Sequence, residues 1–282
     1  MQDQTPSRTA MRVAMRRAAH QLCDRPPVLD DPLAVRIIGE EALRRVEASA
    51  STARSGYARL ARAFMAVRSR FAEDALAHAV GRGVSQYVLL GAGLDTFAYR
   101  SPFPTLRVFE VDHPATQRWK RRKLAAARID PPATLTFVPV DFERETLAGP
   151  LDAAGFRFDA PAFFGWLGVT MYLTDAAIES TLKVIASTPA RGGLALDYLA
   201  PVPWHHVRTR LGMWRLKRRV AAAGEPFTRP LEPRRFHQRL STLGFRSIVD
   251  LGSDEINAAY FAGRPDGLRV SGSAGRLLSA RL

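Results

Sequence analysis

The chain of 282 residues lacks several features that would place it in a specialised class of protein. Its single cysteine, Cys23, excludes an intrachain disulfide and fits a reducing compartment. Its longest largely apolar run, residues 162–173, falls short of the ~20 residues that a membrane-spanning helix needs. Arg12, Arg16 and Arg17 interrupt any apolar stretch that could act as a secretory signal. We therefore expect a cytoplasmic protein with no membrane partner.

Two common catalytic patterns are missing as well. The sequence contains no G-x-S-x-G segment and no Cys/His spacing that is typical of zinc sites. Hydrophobic residues make up 46% and charged residues 24%, which is ordinary for a globular protein. We expect neither a serine-hydrolase nucleophile nor a bound metal.

Basic residues outnumber acidic ones by 41 to 27, which gives a formal net charge of +14. Such a balance can mark a partner that carries phosphates, and the basic run at residues 118–123 could touch nucleic acid. The basic residues are nevertheless dispersed through most of the chain. This distribution favours an arginine-rich surface and disfavours a nucleic-acid partner.

The first eighty residues show helical periodicity and no strand pattern. The apolar spacing predicts helices over residues 11–22, 33–46 and 57–80, with Arg17 off the apolar face of the first. Together these helices predict an N-terminal helical cap over residues 1–82.

From residue 86 onward, short apolar runs alternate with helical stretches. The runs predict strands at residues 86–90, 106–111, 135–140, 161–166 and 194–198, with helices at 114–128 and 175–187. Continuous apolar strands alternating with helices are typical of a parallel sheet that is covered on both faces. We therefore expect a doubly wound α/β core over residues 83–270.

The C-terminal part changes character again. Residues 204–223 and 233–243 read as helices, and residues 245–251 and 258–262 as two strands that could pair antiparallel at the sheet edge. The Gly/Ser/Arg-rich residues 271–282 predict a flexible tail.

Glycines follow the first predicted strand, where ligands bind in open parallel sheets. Gly91 and Gly93 would let the backbone approach a ligand closely, although such a pair can also form an ordinary tight turn. A dinucleotide fingerprint needs a third glycine where this chain has Thr96, which argues against a nicotinamide cofactor.

Carboxylates follow the next two strands. Glu110 and Asp112 lie about twenty residues after the glycines, where an acid accepts hydrogen bonds from ribose hydroxyls. Asp141 and Phe142 follow the third strand and suit an adenine, the acid accepting from the amine and the ring covering the base. Helix capping is the structural alternative for these acids.

Arg68 falls within the apolar stripe of its predicted helix, whereas Arg70 falls outside it. A buried guanidinium needs an anionic partner, which a ligand or a structural carboxylate could supply.

Five segments of the chain, in this order, resemble the leucine carboxyl methyltransferase-like family, which includes polyketide O-methyltransferases and many bacterial S-adenosyl-L-methionine-dependent enzymes. The segments are Arg68-Ser-Arg-Phe71, Leu90-Gly-Ala-Gly-Leu-Asp-Thr96, Phe109-Glu-Val-Asp-His-Pro114, Val140-Asp-Phe142 and Gly168-Val-Thr-Met-Tyr-Leu173. The resemblance covers about residues 10 to 265. It implies a class I methyltransferase fold, Rossmann-like, with a seven-stranded sheet that ends in an antiparallel strand.

The resemblance also implies a cofactor, S-adenosyl-L-methionine, and a role for each matching residue. Arg68 would hold the carboxylate of the methionine moiety, and Gly91 and Gly93 would pass beneath that moiety. Asp112 would take the ribose hydroxyls with Glu110 nearby.

Further along, Asp141 and Phe142 would frame the adenine. By the same resemblance, Leu167 would belong to the cofactor site, at the place where carboxyl methyltransferases carry a glutamate before the glycine. This departure weakens the inference that this chain shares the protein substrate of the carboxyl methyltransferases.

The resemblance favours an O-methyltransferase that acts on a small molecule, a carboxylate or a peptide. No residue is a secure general base, which favours an acceptor that ionises by itself. Tyr172, Trp166 and His205 are candidates for the acceptor pocket, and the N-terminal helices are expected to cover the site. The alternatives are a nucleic-acid methyltransferase, a nicotinamide-dependent oxidoreductase and a nucleotide-binding protein without catalysis.

Overall fold

A computed structural model describes residues 8–49, 56–206, 210–214, 218 and 227–282 of the chain. The helices are α1 (Arg8–Cys23), α2 (Leu33–Ile37), α3 (Glu40–Ala48), α4 (Gly56–Val80), α5 (Pro114–Ala126), α6 (Ala148–Ala153), α7 (Asp175–Ala186), α8 (Pro233–Thr242) and α9 (Ser253–Tyr260). The strands are β1 (Gln86–Leu90), β2 (Arg107–Asp112), β3 (Leu135–Pro139), β4 (Ala162–Trp166), β5 (Gly193–Leu199), β6 (Arg246–Leu251) and β7 (Gly275–Arg281).

The seven strands form one sheet in the order β3-β2-β1-β4-β5-β7-β6. The first five strands run parallel, and β7 pairs antiparallel with both β5 and β6. Tyr87 in β1 faces Val108 of β2 on one side and Phe163 of β4 on the other. The order of the strands reverses between β1 and β4, which is where open α/β sheets bind their ligands.

Helices cover both faces of the sheet, as continuous apolar strands require. Every residue of β1 and β4 is buried. On one face, Phe109 and Phe164 pack with residues of α6, α7 and α8 in an apolar cluster. On the other face, Leu89 and Val108 pack against α4. No helix of the described residues is long and apolar enough to cross a membrane.

Most of the predicted elements are confirmed, with ends that move by one to three residues. The predicted helix over residues 33–46 is wrong in one respect, because it is two helices, α2 and α3. Gly39 separates them with a φ of +82°, which is left-handed backbone and ends the first helix. Thr174 caps α7, since its hydroxyl accepts a hydrogen bond from the Ala177 amide.

The C-terminal predictions need correction. Residues 258–262 are not a strand, because α9 runs through Tyr260 and buries Ile256. The predicted flexible tail, 271–282, contains β7, the strand that lies between β5 and β6. Leu277 and Leu278 alternate between two faces that are both covered, which stabilises the strand despite the polar composition of this region. Most of the predicted helix over residues 204–223 lies outside the described residues.

Candidate functional site

A cavity of about 400 Å³ opens at the carboxyl ends of β1, β2, β3 and β4. The loops that follow these strands form its floor. Helix α1 covers part of the cavity with Ala10, Val13 and Ala14. This position agrees with the hypothesis that the N-terminal helices cover the site. The cavity brings together seven of the eight residues that the sequence singled out: Arg68, Gly91, Gly93, Asp112, Asp141, Phe142 and Leu167.

The loop after β1 turns sharply beneath the cavity. Gly91 has a φ of +68°, and its amide and that of Ala92 donate to the Val111 carbonyl in β2. A Cβ atom at Gly91 would lie 2.3 Å from the Cγ2 atom of Val169 in the turn after β4. Only glycine fits here, because both the backbone angle and the close approach exclude a side chain.

Asp112 ends β2 with its carboxylate toward the cavity. One oxygen accepts the Gly93 amide at 2.5 Å and the other accepts the His113 amide at 2.7 Å. Burial raises the pKa of Asp112, and these two amides counteract part of that rise. Each carboxylate oxygen accepts two hydrogen bonds, so Asp112 can still accept from hydroxyls in the cavity.

Glu110 is the one predicted site residue that does not line the cavity. Its side chain is fully buried, and its Oε2 atom lies 2.7 Å from Nζ of Lys120 in α5. The expectation that Glu110 lies beside a ribose is therefore wrong. The alternation of the strand does place it on the face of Leu89 and Asp112, but α5 covers that part of the face.

Asp141 and Phe142 follow β3 at the far end of the cavity. Asp141 Oδ1 accepts the amide of Glu143, and its Oδ2 atom lies 3.9 Å from Nε2 of His113. The turn formed here precedes α6 by several residues, so Asp141 does not cap that helix. Phe142 is partly buried and packs on the apolar cluster beneath it.

Arg68 lies in α4 and is 7% exposed, as its place in the apolar stripe predicts. Its Nη1 atom donates to Asp197 of β5 at 3.1 Å. Gly168, with a φ of +74°, lets the guanidinium come close, because a Cβ atom there would lie 2.8 Å from Nη1 of Arg68. The Nε atom of Arg68 is buried without a hydrogen-bond partner. One structural carboxylate thus satisfies the guanidinium only in part.

Arg17 and Asp95 line the cavity although the sequence did not assign them to it. Arg17 is 4% exposed and donates to Asp31 and Asp95, so its predicted place off the buried face of α1 is wrong. Those two carboxylates compensate its charge, which allows it to be buried. Asp95 carried a signal, since it lies two residues after Gly93 in the same loop.

Of the three candidates for the acceptor pocket, only Tyr172 lines the cavity. Trp166 is fully buried in the apolar cluster, and His205 is exposed. Thr228 lines the cavity from a segment far along the chain, where its amide and hydroxyl both donate to the Met171 carbonyl. No local pattern in the sequence predicts this contact.

The described residues of the cavity fit S-adenosyl-L-methionine. Arg68 lines the cavity and its guanidinium suits the carboxylate of the cofactor, and the open acceptor sites of Asp112 suit the ribose. The narrow turn at Gly91 allows the backbone to pass close beneath a ligand.

Comparisons with known proteins agree with this fit. The model of the leucine carboxyl methyltransferase family matches residues 10–186. A Mycobacteroides abscessus protein, a candidate S-adenosyl-L-methionine-dependent methyltransferase, is 32% identical over 91% of this chain and 86% of its own length. The candidate methyltransferase YktD of Bacillus subtilis is 35% identical over 71% of this chain and 67% of its own length.

Two solved structures share the fold. A DUF574 family protein of Streptomyces avermitilis has a TM-score of 0.58 at 16% identity, covering 87% of this chain and 94% of that one. A candidate methyltransferase of Thermobifida fusca has a TM-score of 0.57 at 17% identity, covering 91% and 98%. The family match and the relatives establish the cofactor and the type of enzyme. The chain belongs to the leucine carboxyl methyltransferase family and is an S-adenosyl-L-methionine-dependent methyltransferase.

Proposed function

We propose that this enzyme transfers the methyl group to a carboxylate oxygen of a small molecule or a peptide. In this proposal the methionine moiety lies over Gly91 and Gly93 with its carboxylate at Arg68. The ribose hydroxyls donate to Asp112, at the end of β2.

The adenine end of the cofactor lies beyond β3 in the same proposal. Asp141 accepts from the adenine amine and Phe142 covers the base, with Leu167 on the opposite side near the turn after β4. Support comes from the order of these residues around the cavity, since each follows a neighbouring strand of the sheet.

The observation that carries the choice of acceptor concerns the remaining wall of the cavity. Part of this wall is formed by the turn after β4 and by Thr228 from a distant segment: Val169, Tyr172, Leu173, Thr174 and Thr228. These five residues include no aspartate, glutamate, histidine or lysine, whereas His113 and Glu143 line the cavity after β2 and β3. The hydroxyls of Thr174 and Thr228 already take part in hydrogen bonds with the backbone. An acceptor at this wall finds no ready general base, which favours an oxygen that is already ionised at neutral pH.

When bound, the cofactor supplies a methyl group activated by the adjacent sulfonium. The chain has to bind both partners, hold the oxygen in line with the methyl group, and exclude water. Alignment of this kind can supply roughly 7–11 kcal/mol of the barrier. Fixed groups provide it here, since Arg68 is held by Asp197 and Asp112 by two amides.

The proposal is tested by the chemical form of the transferred methyl group. The enzyme is incubated with methyl-labelled S-adenosyl-L-methionine and a small-molecule extract of bacterial cells, and the products are treated with alkali. A carboxylate acceptor gives methyl esters, which release volatile labelled methanol, whereas ethers and methylamines keep the label.

A matched extract, in which the carboxylates have been esterified beforehand, is the control. We expect base-labile label from the untreated extract and none from the esterified one. Label that is base-stable and survives esterification would contradict a carboxylate acceptor while leaving the cofactor assignment intact.

A further inference from the structure

Large apolar side chains are exposed together on one surface segment of the molecule. The part of the chain that the structure describes exposes five such side chains, and three of them lie within residues 204–214. They are Trp204 at 80% exposure, Leu211 at 47% and Trp214 at 53%. Single exposed apolar residues are common on protein surfaces, whereas a group of them marks a surface that binds a partner.

Charge of one sign accompanies these side chains. Between Asp197 and Glu225 the sequence has six arginine and lysine residues, two histidines and no acidic residue. Among the described residues of this segment, Arg210 and Arg218 are both exposed. The guanidinium carbon of Arg218 lies 4.9 Å from the centre of the Trp214 ring, so a cation borders the apolar group directly. This combination predicts a partner that is both anionic and apolar.

The segment that carries this group is joined to the folded core on both sides. The Nδ1 atom of His206 lies 2.9 Å from the hydroxyl oxygen of Ser273, just before β7. Residues 210–214 are helical, and further along the chain the Thr228 amide donates to the Met171 carbonyl. Since the segment follows the carboxyl end of β5, it begins at the edge of the sheet where the cavity opens.

The chemistry of the group fits the surface of an anionic bilayer. A tryptophan ring combines an apolar body with an N–H group and lies at the boundary between lipid headgroups and acyl chains. Arginine and lysine side chains bind anionic headgroups at the same boundary. Leu211 lies three residues before Trp214 in one helical stretch, so both face the same way. An aliphatic side chain suits acyl chains and offers no stacking surface to a base, which favours a bilayer over a nucleic acid.

We infer that Trp204, Leu211 and Trp214, together with the basic residues of their segment, bind the surface of a membrane that contains anionic lipids. The expectation that the protein has no membrane partner rested on the length of its apolar runs. A surface that binds at the headgroups needs no spanning segment. The inference is independent of the proposed methyl acceptor.

Sedimentation of the full chain with lipid vesicles tests the inference. Vesicles of phosphatidylcholine are compared with vesicles in which phosphatidylserine replaces about a third of that lipid. We expect the anionic vesicles to bind at least about tenfold more tightly, and their binding to weaken as salt is added, because salt screens exposed charges. Equal binding to the two kinds of vesicle, or no binding to either, would overturn the inference.

The apolar contribution is tested by Trp204→Ser/Trp214→Ser, which should weaken binding to anionic vesicles by about tenfold or more. The matched control, Leu22→Ser/Val249→Ser, removes the other two large apolar side chains that the described residues expose, and should bind like the wild type. An unchanged affinity for S-adenosylhomocysteine shows that each variant is folded. An equal loss of vesicle binding in both double variants would contradict a contact at this surface.

The electrostatic contribution is tested by Arg210→Gln/Arg218→Gln, which should weaken binding by about fivefold for each charge removed. Arg118→Gln/Arg122→Gln is the matched control, because it removes two exposed charges from α5 instead. Its affinity for anionic vesicles should stay close to that of the wild type. The same loss in both variants would show that net charge alone explains binding, and the inference would fail.

Tryptophan fluorescence locates the contact. Trp204 and Trp214 are exposed, whereas Trp166 is fully buried. Anionic vesicles with brominated acyl chains should quench the emission of the wild type and leave that of Trp204→Phe/Trp214→Phe unchanged. Quenching that persists in this variant would contradict insertion of the two rings. A mixed-sequence RNA or a second copy of the chain that binds through these residues, in the absence of vesicle binding, would also overturn the inference.

Discussion

The two faces of the sheet bury different kinds of side chain. On the face that α6, α7 and α8 cover, the core is apolar, and the carboxylate of Asp250 lies only at its rim, where Tyr198 and Arg276 donate to it. The face that α1, α4 and α5 cover holds all of the charged residues that are buried in the described parts of the chain. They are Arg17, Asp24, Asp31, Arg62, Arg68, Glu110, Lys120 and Asp197.

This difference separates stability from function within one sheet. Burying a charge is costly unless a partner compensates it, so the charged face depends on exact pairing. The cavity lies at the edge of the charged face. There, the ion pairs Arg68–Asp197 and Arg17–Asp95 both compensate charge and hold the side chains of Arg68 and Asp95 in place. We therefore expect substitutions on the two faces to have separable effects on folding and on cofactor binding.

The largest loss of stability should follow from breaking the buried ion pair between Glu110 and Lys120. Lys120→Met leaves Glu110 buried without its cation, which should cost about 3–5 kcal/mol in the free energy of unfolding. The measurement is urea unfolding at pH 8, where Glu110 would otherwise be ionised. The double variant Glu110→Gln/Lys120→Met removes both charges and should recover most of the loss. If the double variant is as unstable as the single one, packing and not charge explains the effect.

On the apolar face, Leu182→Ala should cost about 2–5 kcal/mol, because it removes a fully buried side chain of α7 and leaves a cavity. Its affinity for S-adenosylhomocysteine at a temperature where it is folded should equal that of the wild type. Titration calorimetry checks this. A loss of affinity as large as that of a cavity variant would show that the two faces are coupled.

Substitutions in the loop after β1 should lower stability through steric clashes. Gly91→Ala places a methyl group against Val169 and forces alanine into left-handed backbone, which together should cost about 2–4 kcal/mol. Val169→Ala in the same chain relieves the contact but not the backbone strain, so it should recover part of the stability. Thermal unfolding of the two variants measures this partial rescue, and complete rescue would show that the backbone angle is unimportant.

The most gradual effect is a pH dependence that belongs to Glu110. Burial raises the pKa of Glu110 to about 7, against the opposing effect of Lys120, whereas an unfolded glutamate titrates near 4.3. The folded protein therefore retains this proton when the unfolded chain has lost it. Stability should fall by at most about 1.4 kcal/mol per pH unit as the pH rises from about 4.5 to 7.

Urea unfolding of wild type and Glu110→Gln across this range isolates the contribution of Glu110. The difference between the two curves should change with the stated sign and then level off above pH 7. A difference that does not vary with pH would show that Glu110 keeps an ordinary pKa.

The sequence predicted the parallel part of the sheet and most of the cavity because both depend on local signals. Apolar runs mark β1 to β5, and the residues that follow β1 to β4 meet the cavity. The position of β7 could not be read in this way, since it depends on antiparallel pairing with β5, and its residues look like a tail when taken alone.

Long-range pairs explain the other differences. Glu110 and Arg17 both have the residue type expected of a surface or a ligand site. Each is buried because a partner compensates its charge, Lys120 of the next helix for Glu110 and Asp95, 78 positions away, for Arg17. Thr228 reaches the cavity through hydrogen bonds to Met171, 57 positions away in the chain. Such pairs leave no periodic pattern in a single sequence.

The most direct measurement is titration of S-adenosylhomocysteine and 5′-methylthioadenosine into the wild type, Asp112→Asn and Arg68→Met. We expect Asp112→Asn to weaken both ligands by about tenfold or more, since both carry the ribose. Arg68→Met should weaken only S-adenosylhomocysteine, which alone carries the carboxylate. Wild-type affinities in Asp112→Asn, or an equal loss of both ligands in Arg68→Met, would contradict the assignment of the cofactor to this cavity in the stated orientation.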